Sequence, residues 1–124
     1  ERKGFVTREE VLRLQKEATV LINPRRPDQE FTLYSFPSKT VEYLYSGTPV
    51  LMHKLGGIPP GYNEHLNFFE NTNTDSIAKL IVEVCNWSKE KRDDHARKAI
   101  EFIVSEKSLY PQGKKLYDFI TSCF

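Results

Sequence analysis

Ser38 and Glu42 stand four residues apart in the stretch Ser35-Phe36-Pro37-Ser38-Lys39-Thr40-Val41-Glu42-Tyr43-Leu44-Tyr45-Ser46-Gly47-Thr48-Pro49-Val50. On a helix that spacing puts both on one face, about 6 Å apart along the axis. Ser35 can cap such a helix, Pro37 suits the first turn because its missing N–H has no partner there, and Gly47 suits the left-handed residue that ends it. Free N–H groups at the helix start, with the positive end of the dipole, attract an anion, and phosphate is the natural guest. One turn on, the Glu42 carboxylate only accepts hydrogen bonds and so suits a ribose diol. The chemistry within reach is the holding of a nucleoside diphosphate by the amides of Ser35 to Ser38 and by Glu42. The same pattern also fits a plain surface glutamate stabilised near a helix start.

The elements that must position these groups are legible on either side. Thr7-Arg8-Glu9-Glu10 is a capping box, and the helix after it runs to about Glu17, with Val11, Leu12, Leu14 and Ala18 apolar and Arg8, Arg13, Lys16 and Glu17 on the other side. Val20-Leu21-Ile22 is an unbroken apolar run, as in a parallel strand covered on both faces, and Asn23-Pro24 ends it. Residues 25–34 have no period and form a loop at the carboxyl end of that strand, where α/β proteins keep ligands. The central helix buries Val41, Leu44 and Tyr45, and Pro49 opens the strand Val50-Leu51-Met52. A second loop, His53 to Tyr62, carries Gly56-Gly57 and Pro59-Pro60-Gly61 and emerges on the same edge.

Leu66, Phe68 and Phe69 predict a further short strand, and Thr74-Asp75 starts a helix striped by Ile77, Leu80, Ile81, Val84 and Cys85. Ser88 begins another, burying Ala96, Ala99, Ile100 and Ile103 under a charged face that includes Lys89 to Asp94. After Pro111, Leu116, Phe119, Ile120 and Phe124 share one side of a last helix, which packs on this domain or reaches another. The expectation is an α/β fold in one domain: a short, mostly parallel sheet flanked by helices over residues 1–87, and helices over 88–124.

Composition narrows the classes. Hydrophobic residues make up 39% of the 124-residue chain, enough for one packed core. Eighteen Lys and Arg against 17 Asp and Glu leave no whole-domain attraction to nucleic acid or membrane. Cys85 and Cys123 are far apart without metal-ligand spacing, so they read as reduced thiols of a cytoplasmic protein, and no metal site is expected. No run approaches the roughly 20 apolar residues that span a bilayer, so any membrane role is expected to be peripheral or to lie outside these residues. The chain opens on Glu1, and Gly4-Phe5-Val6 reads as a strand end, which predicts a piece of a longer protein.

Gly4-Phe5-Val6, the capped helix, Ala18-Thr19-Val20-Leu21-Ile22-Asn23-Pro24, Phe36-Pro37-Ser38-Lys39-Thr40-Val41-Glu42-Tyr43-Leu44, Ser46-Gly47-Thr48-Pro49-Val50 and Gly56-Gly57-Ile58-Pro59 follow one another in an order that resembles the group 1 retaining glycosyltransferases. The resemblance covers roughly residues 4–84 and implies the later part of the C-terminal, donor-binding domain of a GT-B fold, a Rossmann-like partial domain. It implies transfer of a sugar from a nucleoside-diphosphate sugar to an acceptor, without a cofactor or bound metal, in polysaccharide synthesis. It gives Glu42 the family's ribose-binding role and the turn Ser35 to Ser38 the diphosphate cradle. Where the family often has a first glutamate eight positions before the second, this chain has Tyr34, so a phenol, or Glu30 from a differently shaped loop, meets the donor sugar. The family's glycine-rich turn, basic diphosphate ligands and acceptor domain would lie upstream of Glu1.

The candidate donor-binding residues are therefore Tyr34, Ser35, Phe36, Pro37, Ser38, Lys39 and Glu42, with no catalytic residue assigned. Arg25 and Arg26 follow a strand end and suit either phosphate or solvent. Phe31, Tyr34 and Phe36 suit stacking on a base or sugar, or anchoring of the loop; Tyr43, Tyr45 and Trp87 suit packing; and His53, His65 and His95 lie in no nucleophile pattern. The alternative from another class is a non-enzymatic α/β module that binds a phosphorylated or nucleotide ligand, or a protein partner, at the same strand ends.

Overall fold

The computed structural model describes residues 3–124. Helix α1 is Arg8–Glu17 and begins where the Thr7 hydroxyl accepts from the Glu10 amide at 3.3 Å. Only half of the capping box forms, because the Glu10 carboxylate turns to Arg13, 2.7 Å away, a charge-assisted contact stronger than the bond back to the cap. Gly4 to Val6 forms no strand, and Phe5 and Val6 are exposed.

Three strands follow, β1 Leu21–Asn23, β2 Val50–Met52 and β3 Asn67–Phe68, all parallel and in the order β1-β2-β3. Leu21, Ile22 and Asn23 pair with Val50, Leu51 and Met52, while Leu51 and Met52 pair with Asn67 and Phe68. The central strand is wholly buried, and its side chains alternate between two cores as the pleat requires. Val50 and Met52 point toward Leu44, Leu55, Tyr62, Leu66, Ala99 and Ile103, whereas Leu51 meets Phe69 and Val84. Each fully buried aliphatic of this kind stabilises the fold by about 1.5–3 kcal/mol over exposure. Strand β1 departs from expectation: it lies at the sheet edge, and Ile22 is 38% exposed because nothing among the described residues covers its outer face.

The helices sit on both faces. α2, Lys39–Tyr45, and α4, Lys89–Phe102, contribute Leu44 and Ala99 to the first core, and α3, Thr74–Cys85, contributes Val84 to the second. α3 starts at Thr74 as expected, with Asn73 as its cap, and Ser88, expected to begin α4, caps it instead. In α2 the buried stripe is Thr40 and Leu44, with Val41 beside it and Tyr45 exposed, a face one residue round from the one the apolar residues outline. Gly47, at φ +79°, ends this helix as expected.

Glu30–Leu33 and Pro60–His65 are short 3-10 turns inside the two loops. α4 runs on through a π turn, Ile103–Lys107, into α5, Leu109–Ser122, which starts two residues before Pro111 and puts that proline in the first turn, where no N–H is needed. Among the described residues no helix is long and apolar enough to cross a membrane. The result is a mixed α/β fold, mostly helical, with five α-helices and a short parallel sheet among the described residues.

Candidate functional site

The carboxyl end of β1 and the turn before α2 face each other across a cleft of about 160 Å³, walled by Ile22, Asn23, Pro24 and Arg25 on one side and Pro37, Ser38, Lys39 and Tyr43 on the other. Asn23 shapes the first wall: its Oδ1 accepts from the Arg25 amide at 3.2 Å and so turns the chain as it leaves the strand. Arg25 is half-buried, with its guanidinium 5.4 Å from the Phe31 ring centroid and Nη1 donating to Ser35 Oγ at 3.4 Å. A cation anchored at two points further along its own loop keeps a defined place in the cleft. Arg26 is exposed and paired with Asp28 at 2.8 Å.

The second wall is held from below. Gly57 lies so close to Ser35 that a Cβ there would overlap the Ser35 carbonyl, and its amide donates to Thr32 O at 3.2 Å. Thr32, fully buried, closes its own loop by donating through Oγ1 to Gln29 O at 2.6 Å. The glycine pair of the second loop therefore serves the first, because only a residue without a side chain permits that approach.

The sequence-derived candidates divide into groups. Pro37, Ser38 and Lys39 line the cleft, with Pro37 buried and Ser38 and Lys39 exposed. Ser35 reaches it only through Arg25, and it does not cap α2: its amide donates to Phe31 O at 3.0 Å and its hydroxyl takes the arginine. Among the described residues no side chain caps α2. Phe36 points into the core with its ring 5.0 Å from that of Tyr62, while Tyr34 is 84% exposed on the loop surface. Glu30 opens the 3-10 turn before it and is also exposed.

Glu42 lies beside the cleft rather than in its wall. Its Oε1 accepts from Gln15 Nε2 at 2.6 Å and from Lys39 Nζ at 3.1 Å. The Gln15 hydrogen bond, then that of Lys39, holds the carboxyl below the usual carboxylate range against the opposing effect of burial, so it is ionised at neutral pH. Among the described residues Oε2 accepts no hydrogen bond, and the side chain is 26% exposed.

The site is thus electropositive within a nearly neutral chain, with Arg25 and Lys39 at the cleft and its nearest carboxylate already partnered. The amides of Phe36, Ser38 and Lys39 donate to no other group among the described residues, whereas those of Ser35 and Thr40 are taken by Phe31 O and Pro37 O. At seven residues α2 has a short dipole, so the two cations carry most of any attraction for an anion. Chemically the cleft can hold a phosphate-sized anion, with a carboxylate oxygen close by for a hydroxyl.

Sequence reasoning left Gln15 unmentioned and Arg25 undecided. The 27-residue separation from Gln15 to Glu42 has no local signal, but an arginine directly after Asn-Pro at a strand end was a usable one. Tyr43, assigned to packing, does pack on the core and also lines the cleft. The three histidines sit against aromatic rings: His53 on Phe69, His65 on Phe102 and His95 on Trp87. Among the described residues no three His, Cys, Asp or Glu side chains come together in a metal-binding group. A larger hollow of about 630 Å³ is walled by Leu109, Tyr110, Gly113, Lys114 and Tyr117 of α5. One helix cannot surround a ligand, so this is an open surface.

No protein-family model matches the chain, and no curated protein or solved structure was found to be significantly similar to it.

Proposed function

We propose that this chain forms part of the donor-nucleotide domain of a retaining glycosyltransferase that moves a sugar from a nucleoside diphosphate to an acceptor. The observation that carries the reading is the cleft between the β1 loop and the α2 turn, with Arg25, Lys39 and unbonded amides at its edge and the ionised Glu42 one helical turn further on. The parallel β1-α2-β2 crossover, with helices on both faces, supports taking the sheet as a Rossmann-like portion of a GT-B domain.

In this reading the diphosphate lies against the Ser38 and Lys39 amides and the Arg25 guanidinium, and the ribose diol donates to Glu42. Negative charge grows on the diphosphate as the glycosidic bond breaks, and fixed cations and amides around it lower the barrier. The acceptor-binding domain belongs elsewhere in the intact protein, and the apolar side of α5, uncovered here, offers it a contact surface.

The test is binding of UDP, GDP and ADP sugars to the intact protein, read by thermal shift and calorimetry. One of the three nucleotides is expected to stabilise it, and Glu42→Ala to weaken that binding by at least about fivefold, or ~1 kcal/mol. Undiminished affinity in Glu42→Ala would remove the basis of the proposal.

A further inference from the structure

We infer that Gln15 is a positioning residue for the Glu42 carboxylate, holding one oxygen so that the other is presented to a ribose diol. The inference rests on the reading of Glu42 proposed above. Gln15 is the one buried residue of α1, 5% exposed, although Val11, Leu12 and Leu14 are the apolar residues of that helix. Packing alone would place leucine or methionine there, because a buried amide is unfavourable unless its polar atoms are used.

Gln15 is used at two points. Its main-chain carbonyl accepts from Thr48 Oγ1 at 2.6 Å, and its Nε2 donates to Glu42 Oε1 at 2.6 Å, so α1 grips α2 and the turn after it. Lys39 meets the same carboxylate oxygen. Both donors therefore load onto Oε1, and Oε2 is left with room for two hydrogen bonds, the number that a cis-diol donates. Among the described residues Gln15 Oε1 and Thr40 Oγ1, both buried, have no hydrogen-bond partner, so the contact with Glu42 is the one use that the Gln15 amide has. An amide donor also favours the ionised carboxyl without adding a charge of its own, so Glu42 stays a pure acceptor across the neutral range.

The experiment compares a nucleoside diphosphate with its 2′,3′-dideoxy analogue by calorimetry on the intact protein, using whichever of UDP, GDP or ADP binds. The unaltered protein is expected to prefer the ribonucleotide by about tenfold. Gln15→Met keeps the volume and removes the donor; it is expected to cut the preference to under about threefold with dideoxynucleotide affinity unchanged. Gln15→Ala, should the methionine variant fold poorly, is expected to do the same.

A preference unchanged in these variants, or an equal loss for both ligands, would make Gln15 a packing residue and overturn the inference. Glu42→Ala is the control for the reading underneath. If it leaves the preference intact, or if no nucleotide binds the unaltered protein, the reading of Glu42 itself fails.

Discussion

At the scale of single residues the site depends on how a few charges are shared. Glu42 is the acceptor of two donors, and its depressed pKa ties stability to pH. A carboxyl whose folded pKa lies below its unfolded one contributes stability that is full above the unfolded value and lost as pH falls through the folded value. The Glu42 contribution should therefore begin to fall only as pH drops into the ordinary glutamate range, and be lost as pH passes below the depressed folded value. Glu42→Gln is expected to flatten that part of the stability curve, as measured by urea unfolding between pH ~3 and ~7 in both proteins. Spacing pointed to Ser38 and Glu42, a place near the helix start to Lys39, and the family resemblance to the role of Glu42; the structure puts Ser38 and Lys39 in the cleft wall and Glu42 beside it. Spacing could not show that Phe36 belongs to the core or that Tyr34 stands free, since both are aromatic residues in one loop and only the packed chain separates them.

The elements position the site through close approaches that depend on two glycines. Gly47 sits at φ +79°, and a Cβ there would come within 3.2 Å of Ile100 Cδ1 and 3.3 Å of Ala96 Cβ. Gly47→Ala is expected to destabilise the fold by about 1–2 kcal/mol, from the left-handed backbone and the crowding of α4 together, as read by denaturant unfolding. Gly57 has a different role, since what it permits is contact between the two loops at the Ser35 carbonyl. Gly57→Ala should displace the turn that carries Ser38 and Lys39, lowering nucleotide affinity by more than about threefold where the protein remains folded. Circular dichroism alongside calorimetry separates the two effects. The helix stop at Gly47 was visible in the sequence because it is local. The Gly57 contact was not, because the clash it avoids lies 22 positions away, at Ser35.

Across the whole molecule the packed body ends near Ile103, and α5 projects from it. Tyr110 is 83% exposed and Phe119 67%, and no side chain of this helix is buried, so its stripe of apolar residues contributes little to the fold in isolation. Truncation after Lys107 is expected to change unfolding free energy by less than about 1 kcal/mol, while full-length protein shows the greater tendency to self-associate, as measured by urea unfolding and light scattering. The amphipathic pattern of α5 was evident from residue spacing, yet spacing is silent about whether an apolar face is covered. By itself the sequence determined the order of helices and strands from α1 to α5 and the parallel sheet, though not the strand end read at Gly4 to Val6 or the cap read at Ser35, because glycine stops and apolar periods act over a few neighbouring positions. Only the tertiary structure decided that β1 is an edge, that Arg25 faces Lys39 across a cleft, and that Gln15 holds Glu42. Those are meetings between distant segments, and they are fixed by which surfaces the core draws together.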